Sequence, residues 1–256
     1  MKNLKLYFYS SNAPNWWPYQ VLSLSNNNIS LTEREYYHVI IDNGMFNYVS
    51  KNQRPDTRLW IWKLKAFTDI VYRRLKPRSI TVITPDWIRS PEFTLEAARI
   101  ASNVICKDYE CMLVAHYNYD YTMDKVISEA FTIDNIRKIA VPCKLYCSVK
   151  KRHRRVVNYP CQKILCSIAY SVVKERKLLH ALGLGLKLDV VKSISKYVQS
   201  FDSTSWTRPV KTIEGKRYSA KTAREREQYF ILALNHLKDY IYIPSEIIDK
   251  VKGIDL

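Results

Sequence analysis

Three aspartates stand where short apolar runs give way to turn residues: Asp42 in Ile40-Ile41-Asp42-Asn43-Gly44, Asp86 in Thr84-Pro85-Asp86-Trp87, and Asp202 in Ser200-Phe201-Asp202-Ser203. A carboxylate at such a point can move a proton or attack an electrophilic carbon. Taken singly, each also suits a loop cap, because an aspartate side chain accepts from backbone N–H groups two residues on. The recurrence of one residue type at three strand ends favours chemistry over capping. Gly183 and Gly185 follow another apolar run, where they permit a close backbone approach, and we assign them to substrate binding. His116 follows the run Met112–Ala115 and is assigned to substrate contact as well. His180 lies inside a run and reads as a core histidine without a functional role.

Acids at the ends of different strands meet only if those strands converge. Apolar runs predict strands near Leu4–Tyr9, Val39–Asp42, Ile80–Thr84, Met112–Ala115, Ile139–Pro142, Leu178–Leu182 and Val198–Asp202. Most are separated by stretches of helical periodicity, the pattern of repeated β-α units. Leu64, Phe67, Val71 and Leu75 fall on one helical face, as do Ile164, Leu165, Ile168 and Val172, and Ala223, Phe230, Leu234 and Leu237. Ser90-Pro91-Glu92 has the composition of a helix start. An eighth strand is expected in Lys211–Tyr218 or around Tyr240–Ile243, and residues 10–36 predict a long loop. A chain of 256 residues with this alternation is expected to form one α/β domain, a (β/α)8 TIM-like barrel. Its strands would span about 4–218, with a C-terminal helical part over about 219–256.

Lys and Arg number 41 against 24 Asp and Glu, a formal net charge of +17. An excess of that size implies an anionic partner. No apolar run approaches the roughly 18 residues of a membrane span, and the start reads poorly as an export signal. A membrane partner is therefore not expected, and a cytoplasmic location is. In a (β/α) barrel, loops that follow strands rim the catalytic mouth. Lys150, Lys151, Arg152, Arg154 and Arg155, together with Arg208, should then lie at the mouth, where we assign them to nucleic-acid phosphates. Lys211, Lys216 and Arg217 fall on the same side. Arg73, Arg74, Lys76 and Arg78, like Lys174, Arg176 and Lys177, precede strands and read as solvated surface on the far face. Trp16, Trp17 and Trp206 belong to the mouth side, where they either stack on an extruded base or wedge loops against the barrel. The six cysteines contain no Cys-x-x-Cys and read as small buried residues or an occasional disulfide, so no metal site is expected.

The order of these strand-end motifs resembles that of the tRNA-guanine transglycosylases and their phage and archaeal relatives that insert 7-deazaguanines into DNA. Asp42-Asn43-Gly44-Met45-Phe46 is similar to the family's Asp-Ser-Gly segment, and Thr84-Pro85-Asp86 to the segment of its base-recognising aspartate. Leu179-His180-Ala181-Leu182-Gly183-Leu184-Gly185 resembles the family's His-x-x-Gly-like strand. Phe201-Asp202-Ser203-Thr204-Ser205-Trp206 resembles the segment of its nucleophile, in the form of the DNA-modifying branch. The likeness spans about residues 4–217. It departs from the family in two places. No cysteine follows Cys166, where tRNA-modifying members carry zinc ligands, and Pro142-Cys143 replaces a glycine pair after the fifth strand.

The resemblance implies a double displacement at the anomeric carbon of a guanosine nucleotide. Asp202 would be the nucleophile and Asp42 the general acid–base. Asp86, His116, Gly183, Gly185 and Trp206 would contact the base. The implied partners are nucleic acid, DNA in preference to tRNA, and a free 7-deazaguanine, and no cofactor is implied. Two other readings use the same residues: a barrel hydrolase that cuts a glycosidic or N-glycosidic bond with water, and a barrel that binds nucleic acid without catalysis.

Overall fold

The structure, a computed structural model, describes residues 5–11, 13–25, 37–45, 47–48, 53–88, 90–117, 122–147, 155–158, 161–184, 186, 188–203 and 222–252. Eight parallel strands form its centre: β1 (Tyr7–Tyr9), β2 (Tyr19–Ser23), β3 (His38–Asp42), β4 (Ser79–Ile83), β5 (Glu110–Val114), β6 (Ile136–Pro142), β9 (Leu178–Leu182) and β10 (Ser200–Asp202). They lie side by side in chain order, with β10 returning to pair with β1. Ser10 bridges Gln20 in parallel, through Ser10 N–H to Tyr19 O (3.2 Å) and Val21 N–H to Ser10 O (3.1 Å). That bridge joins β1 to β2, so the sheet closes and the chain forms an α/β barrel. Closure leaves no unpaired strand edge, and it aims the carboxyl ends of all eight strands at one mouth.

The helices lie where the periodicity puts them. They are α1 (Thr57–Leu75), α2 (Pro91–Val104), α3 (Met123–Phe131), α4 (Cys161–Lys174), α5 (Leu188–Ile194), α6 (Ala223–Leu237) and a short α7 (Ile248–Lys252). Three of the long helices begin at a side-chain oxygen cap, the Ser90 cap among them as the sequence predicts. Asp56 accepts from Leu59 N–H, Ser90 from Phe93 N–H with Pro91 at the first position, and Thr222 forms a reciprocal pair with Glu225. Such caps are each worth about 1 kcal/mol. Leu64, Val71 and Leu75 of α1 and Leu165 and Val172 of α4 are fully buried against the barrel.

The eighth strand of the described barrel is not the Tyr240–Ile243 segment that the sequence offers. It is β2, inside the stretch read as a long loop, and it enters the barrel between β1 and β3. Near Tyr240–Ile243 only Ile241 pairs, bridging Leu6 at the base of β1. Lys211–Tyr218 lies outside the described residues. The tryptophans of the first loop are not available to a base. Trp17 is fully buried and Trp16 nearly so, and both pack on Phe230 of α6 at ring distances of 5.4 and 5.9 Å. Trp17 Nε1–H is spent on Phe8 O at 2.9 Å. They wedge the β1–β2 loop against α6.

One element has no counterpart in the strand count above. After β6 the chain makes an antiparallel ribbon of β7 (Lys144–Cys147) and β8 (Arg155–Asn158). Among the cysteines, Cys106 and Cys111 are joined by a disulfide where α2 turns into β5, Cys143 is disulfide-bonded as well, and Cys166 is free and exposed. No described helix is long and apolar enough to cross a membrane.

Candidate active site

Asp42, Asp86 and Asp202 all lie at the mouth, at or just beyond the carboxyl ends of β3, β4 and β10. Their fields overlap: the charges of Asp86 and Asp202 both raise the pKa of Asp42. The largest cause is burial of the Asp42 carboxyl. Together these effects push its pKa up to about 6, against hydrogen bonds from Gly44 N–H and the Ser23 side chain that pull the other way. Among the described residues no lysine or arginine pairs with any of the three acids. They are held by neutral donors and by histidines.

Asp42 is the last residue of β3 and stands in register with Ser23, the last of β2. Gly44 N–H reaches back to Asp42 Oδ1 at 3.1 Å. This turn places Gly44 at φ +71°, and a Cβ there would meet Ser25 N at 3.1 Å, so both backbone conformation and space demand glycine. Asn43, buried at the same turn, was not singled out from the sequence. It donates from Nδ2 to Asp86 Oδ1 at 2.7 Å and to Thr84 O at 2.8 Å, tying the β3 loop to the β4 loop. Trp60 of α1 holds Asn43 O through its indole N–H at 3.0 Å. A satellite cluster of Met45, Trp60, Trp87, Phe93 and Ala97 packs beneath both loops.

Asp86 is clamped from two sides. Beside the Asn43 bond, Oδ2 pairs with His116 Nε2 at 2.5 Å. His116 follows β5, is only 3 % exposed, and its Nδ1 is buried with no hydrogen-bond partner. A carboxylate accepts and does not donate, so Nε2 donates to Asp86.

Asp202 closes β10. Its Oδ1 accepts from Gly183 N–H at 2.8 Å and from His180 Nε2 at 3.1 Å. His180 and Ser200 are register partners on adjacent strands, and their side chains meet at 2.8 Å. Residues two apart on a strand share a face, so Ser200 and Asp202 both present to the β9 histidine. His180 is, as expected, a satisfied core histidine: it is 1 % exposed and both ring nitrogens are bonded, one of them to the Asp202 carboxylate. Gly183, expected to contact substrate, instead spends its N–H on Asp202, at φ +67°. A cue was present in the sequence, since His180 stands in the same motif as Gly183.

Gly185, Trp206, Lys150, Lys151, Arg152, Arg154 and Arg208 lie outside the described residues. The backbone of Arg155 begins β8, so the basic run from 150 to 155 leads from one arm of the β7–β8 ribbon into the other. A groove of about 540 Å³ on the outer wall between α1 and α2, lined by Trp62, Arg58 and Arg99 among others, shares no residue with the mouth. Among the described residues no three His, Cys, Asp or Glu side chains are gathered as a metal site.

The fold and the mouth define a class: a closed parallel α/β barrel with an acid-lined mouth in which two carboxylates are bonded to buried histidines. No protein-family model matches the chain, and no curated protein matches it. Among solved structures, an HpcH/Hpal aldolase/citrate lyase family protein from Burkholderia cenocepacia J2315 aligns with 78% of this chain and 88% of its own. The identity is 9% and the TM-score 0.39, a likeness too slight to carry an argument about chemistry.

Proposed function

We propose that this protein exchanges guanine in nucleic acid, DNA in preference to tRNA, for a 7-deazaguanine by double displacement through Asp202. The observation that carries the reading is the gathering of Asp42, Asp86 and Asp202 at one mouth, electrostatically coupled and without a basic partner among the described residues. These three are left able to accept, donate or attack.

In the first half-reaction Asp202 bonds to the anomeric carbon of a guanosine nucleotide, and the glycosidic C–N bond breaks with its electron pair passing to guanine. Asp42, protonated, supplies the proton with which guanine leaves. In the second half-reaction the Asp42 carboxylate takes the N9 proton of the incoming 7-deazaguanine. That nitrogen attacks the anomeric carbon, and the pair of the ester C–O bond returns to Asp202. A pKa of about 6 keeps both forms of Asp42 populated near neutral pH, which suits a group that must give and then take a proton. Asp86, held by Asn43 and His116, reads the N–H edge of the base. The net charge of +17 and the basic run of residues 150–155 supply sequence-independent attraction for the phosphate backbone. The target nucleotide must leave the stack to reach the mouth.

The test is incubation with labelled guanine and either duplex DNA or tRNA, followed by counting of each polymer and by denaturing gels for a protein–nucleic acid adduct. Label in DNA with an adduct supports the reading. Release of free base without incorporation would mean a hydrolase, and binding without either would mean a non-catalytic barrel.

A further inference from the structure

Both described hydrogen bonds to the Asp202 carboxyl fall on one oxygen. Gly183 N–H and His180 Nε2 reach Oδ1 at 2.8 and 3.1 Å, and nothing among the described residues bonds Oδ2. The side chain is 20% exposed at the mouth. His180 is in turn fixed by Ser200 Oγ on Nδ1 at 2.8 Å and by the edge of Tyr9, 6.3 Å between ring centres. An ionised carboxylate only accepts, so Nε2 donates to Oδ1, while Nδ1 and the Ser200 hydroxyl share a second hydrogen bond. Imidazole, serine and the glycine N–H thus form a fixed donor pair aimed at one oxygen of one acid.

From this geometry we infer that His180, with Ser200 behind it, is a positioning residue that makes Asp202 a good leaving group as well as a nucleophile. The inference rests on the transglycosylase reading and concerns its second half. Oδ2 is the oxygen that bonds to the anomeric carbon. In the resulting ester Oδ1 is the carbonyl oxygen and keeps both donors. When the incoming base nitrogen attacks, the C–Oδ2 bond breaks and its electron pair returns to the carboxylate. The restored charge spreads onto Oδ1, where two N–H groups already point and need no rearrangement. In the first half the same donors draw charge from the nucleophile, so they assist attack far less than departure. The arrangement therefore lowers the barrier to resolution of the covalent intermediate and prevents the protein from trapping itself on its substrate.

The experiment follows the adduct in time on denaturing gels. Labelled nucleic acid is added to the parent, to His180→Phe, His180→Gln and Ser200→Ala, and the adduct is then chased with excess guanine. His180→Phe should form the adduct at near the parent rate and resolve it about 10- to 100-fold more slowly, the worth of one hydrogen bond to a charged group. The adduct then accumulates. His180→Gln should recover most of the resolution rate, because its amide N–H can replace Nε2–H, and Ser200→Ala should fall between. Thermal melts separate these effects from misfolding. If His180→Phe fails to fold, Ser200→Ala and His180→Gln carry the comparison. Nitrogen-15 spectra of the histidine rings give a readout independent of turnover: the Nε2–H signal of His180 should move in Asp202→Ala. Resolution by His180→Phe, or by a folded Ser200→Ala, at the parent rate would overturn the inference while leaving the transglycosylase reading intact. Absence of any adduct with the parent would overturn that reading, and the leaving-group role with it.

Discussion

The two ends of the barrel interior contain carboxylates in opposite circumstances. Towards the base, Glu110 of β5 pairs with Lys138 of β6 at 2.5 Å, and Thr81 of β4 bonds to both. Burial, and after it the field of Glu110, raises the pKa of Tyr9 on β1. At the mouth, three acids stand with no ammonium or guanidinium paired to them among the described residues. An acid at the base is neutralised and fixes three strands together. The acids at the mouth are bonded by histidine, asparagine and backbone N–H groups, which orient a carboxylate without consuming its charge. The same residue chemistry thus serves packing at one end and is left reactive at the other, and the difference lies in the partner supplied.

The largest effect should come from the acid with a free oxygen. Asp202→Asn should abolish both exchange and adduct, because an amide of the same shape is not a comparable nucleophile. Affinity for DNA should stay within about twofold, since phosphate contacts elsewhere dominate binding. Measured exchange in this variant would remove the nucleophile assignment.

Asp42→Asn should slow turnover by about 10²–10⁴-fold, with the adduct still detectable. Its effect on stability has a definite sign. Burial holds the Asp42 pKa near 6, above the ordinary 3.8, so the native state binds the proton more tightly than the unfolded chain. Stability is therefore lost as pH rises from about 4 through about 6, and the amide should restore about 1–2 kcal/mol at pH 8 and almost nothing at pH 4. Melting curves at the two pH values would check this. A variant less stable than the parent at pH 8 would contradict the burial of the carboxyl.

Surface charge offers the next contrast between the two ends. Neutralising Lys151, Arg152, Arg154 and Arg155 should weaken DNA binding and flatten its salt dependence by about one unit of slope per lost phosphate contact. Neutralising Arg73, Arg74, Lys76 and Arg78 on the far face should change little. Binding titrations at several salt concentrations would measure both, and equal losses would dissolve the distinction between faces.

At the base, Lys138→Met should leave Glu110 without its cation and cost about 1–3 kcal/mol of stability, with exchange per folded molecule unchanged. Smaller or comparable is the loss on removing the Cys106–Cys111 disulfide, about 2 kcal/mol for so short a loop. Denaturant titrations of the parent and of the Cys106→Ala, Cys111→Ala double variant, both oxidised, would give that value.

Local sequence determined the helix starts, the apolar faces of α1, α4 and α6, seven of the eight barrel strands and the strand-end positions of the three aspartates. Each of these is written in a few adjacent residues: a capping oxygen, a period of 3.6, a β-branched run ending in a turn residue. Only the tertiary structure decided the rest. Tyr19–Ser23 is a strand because β1 and β3 stand on either side of it, and its own five residues, between tryptophans and asparagines, are too few to announce that pairing. His180 finds its hydrogen-bond partners because β10 brings Ser200 and Asp202 beside it from twenty residues away, and Trp16 and Trp17 are buried because α6 returns across them. Whether an acid is neutralised or left reactive is settled in the same way. The ammonium beside Glu110 and the histidine beside Asp86 each come from a neighbouring strand or loop tens of residues away, and a local pattern cannot record a partner that only barrel closure supplies.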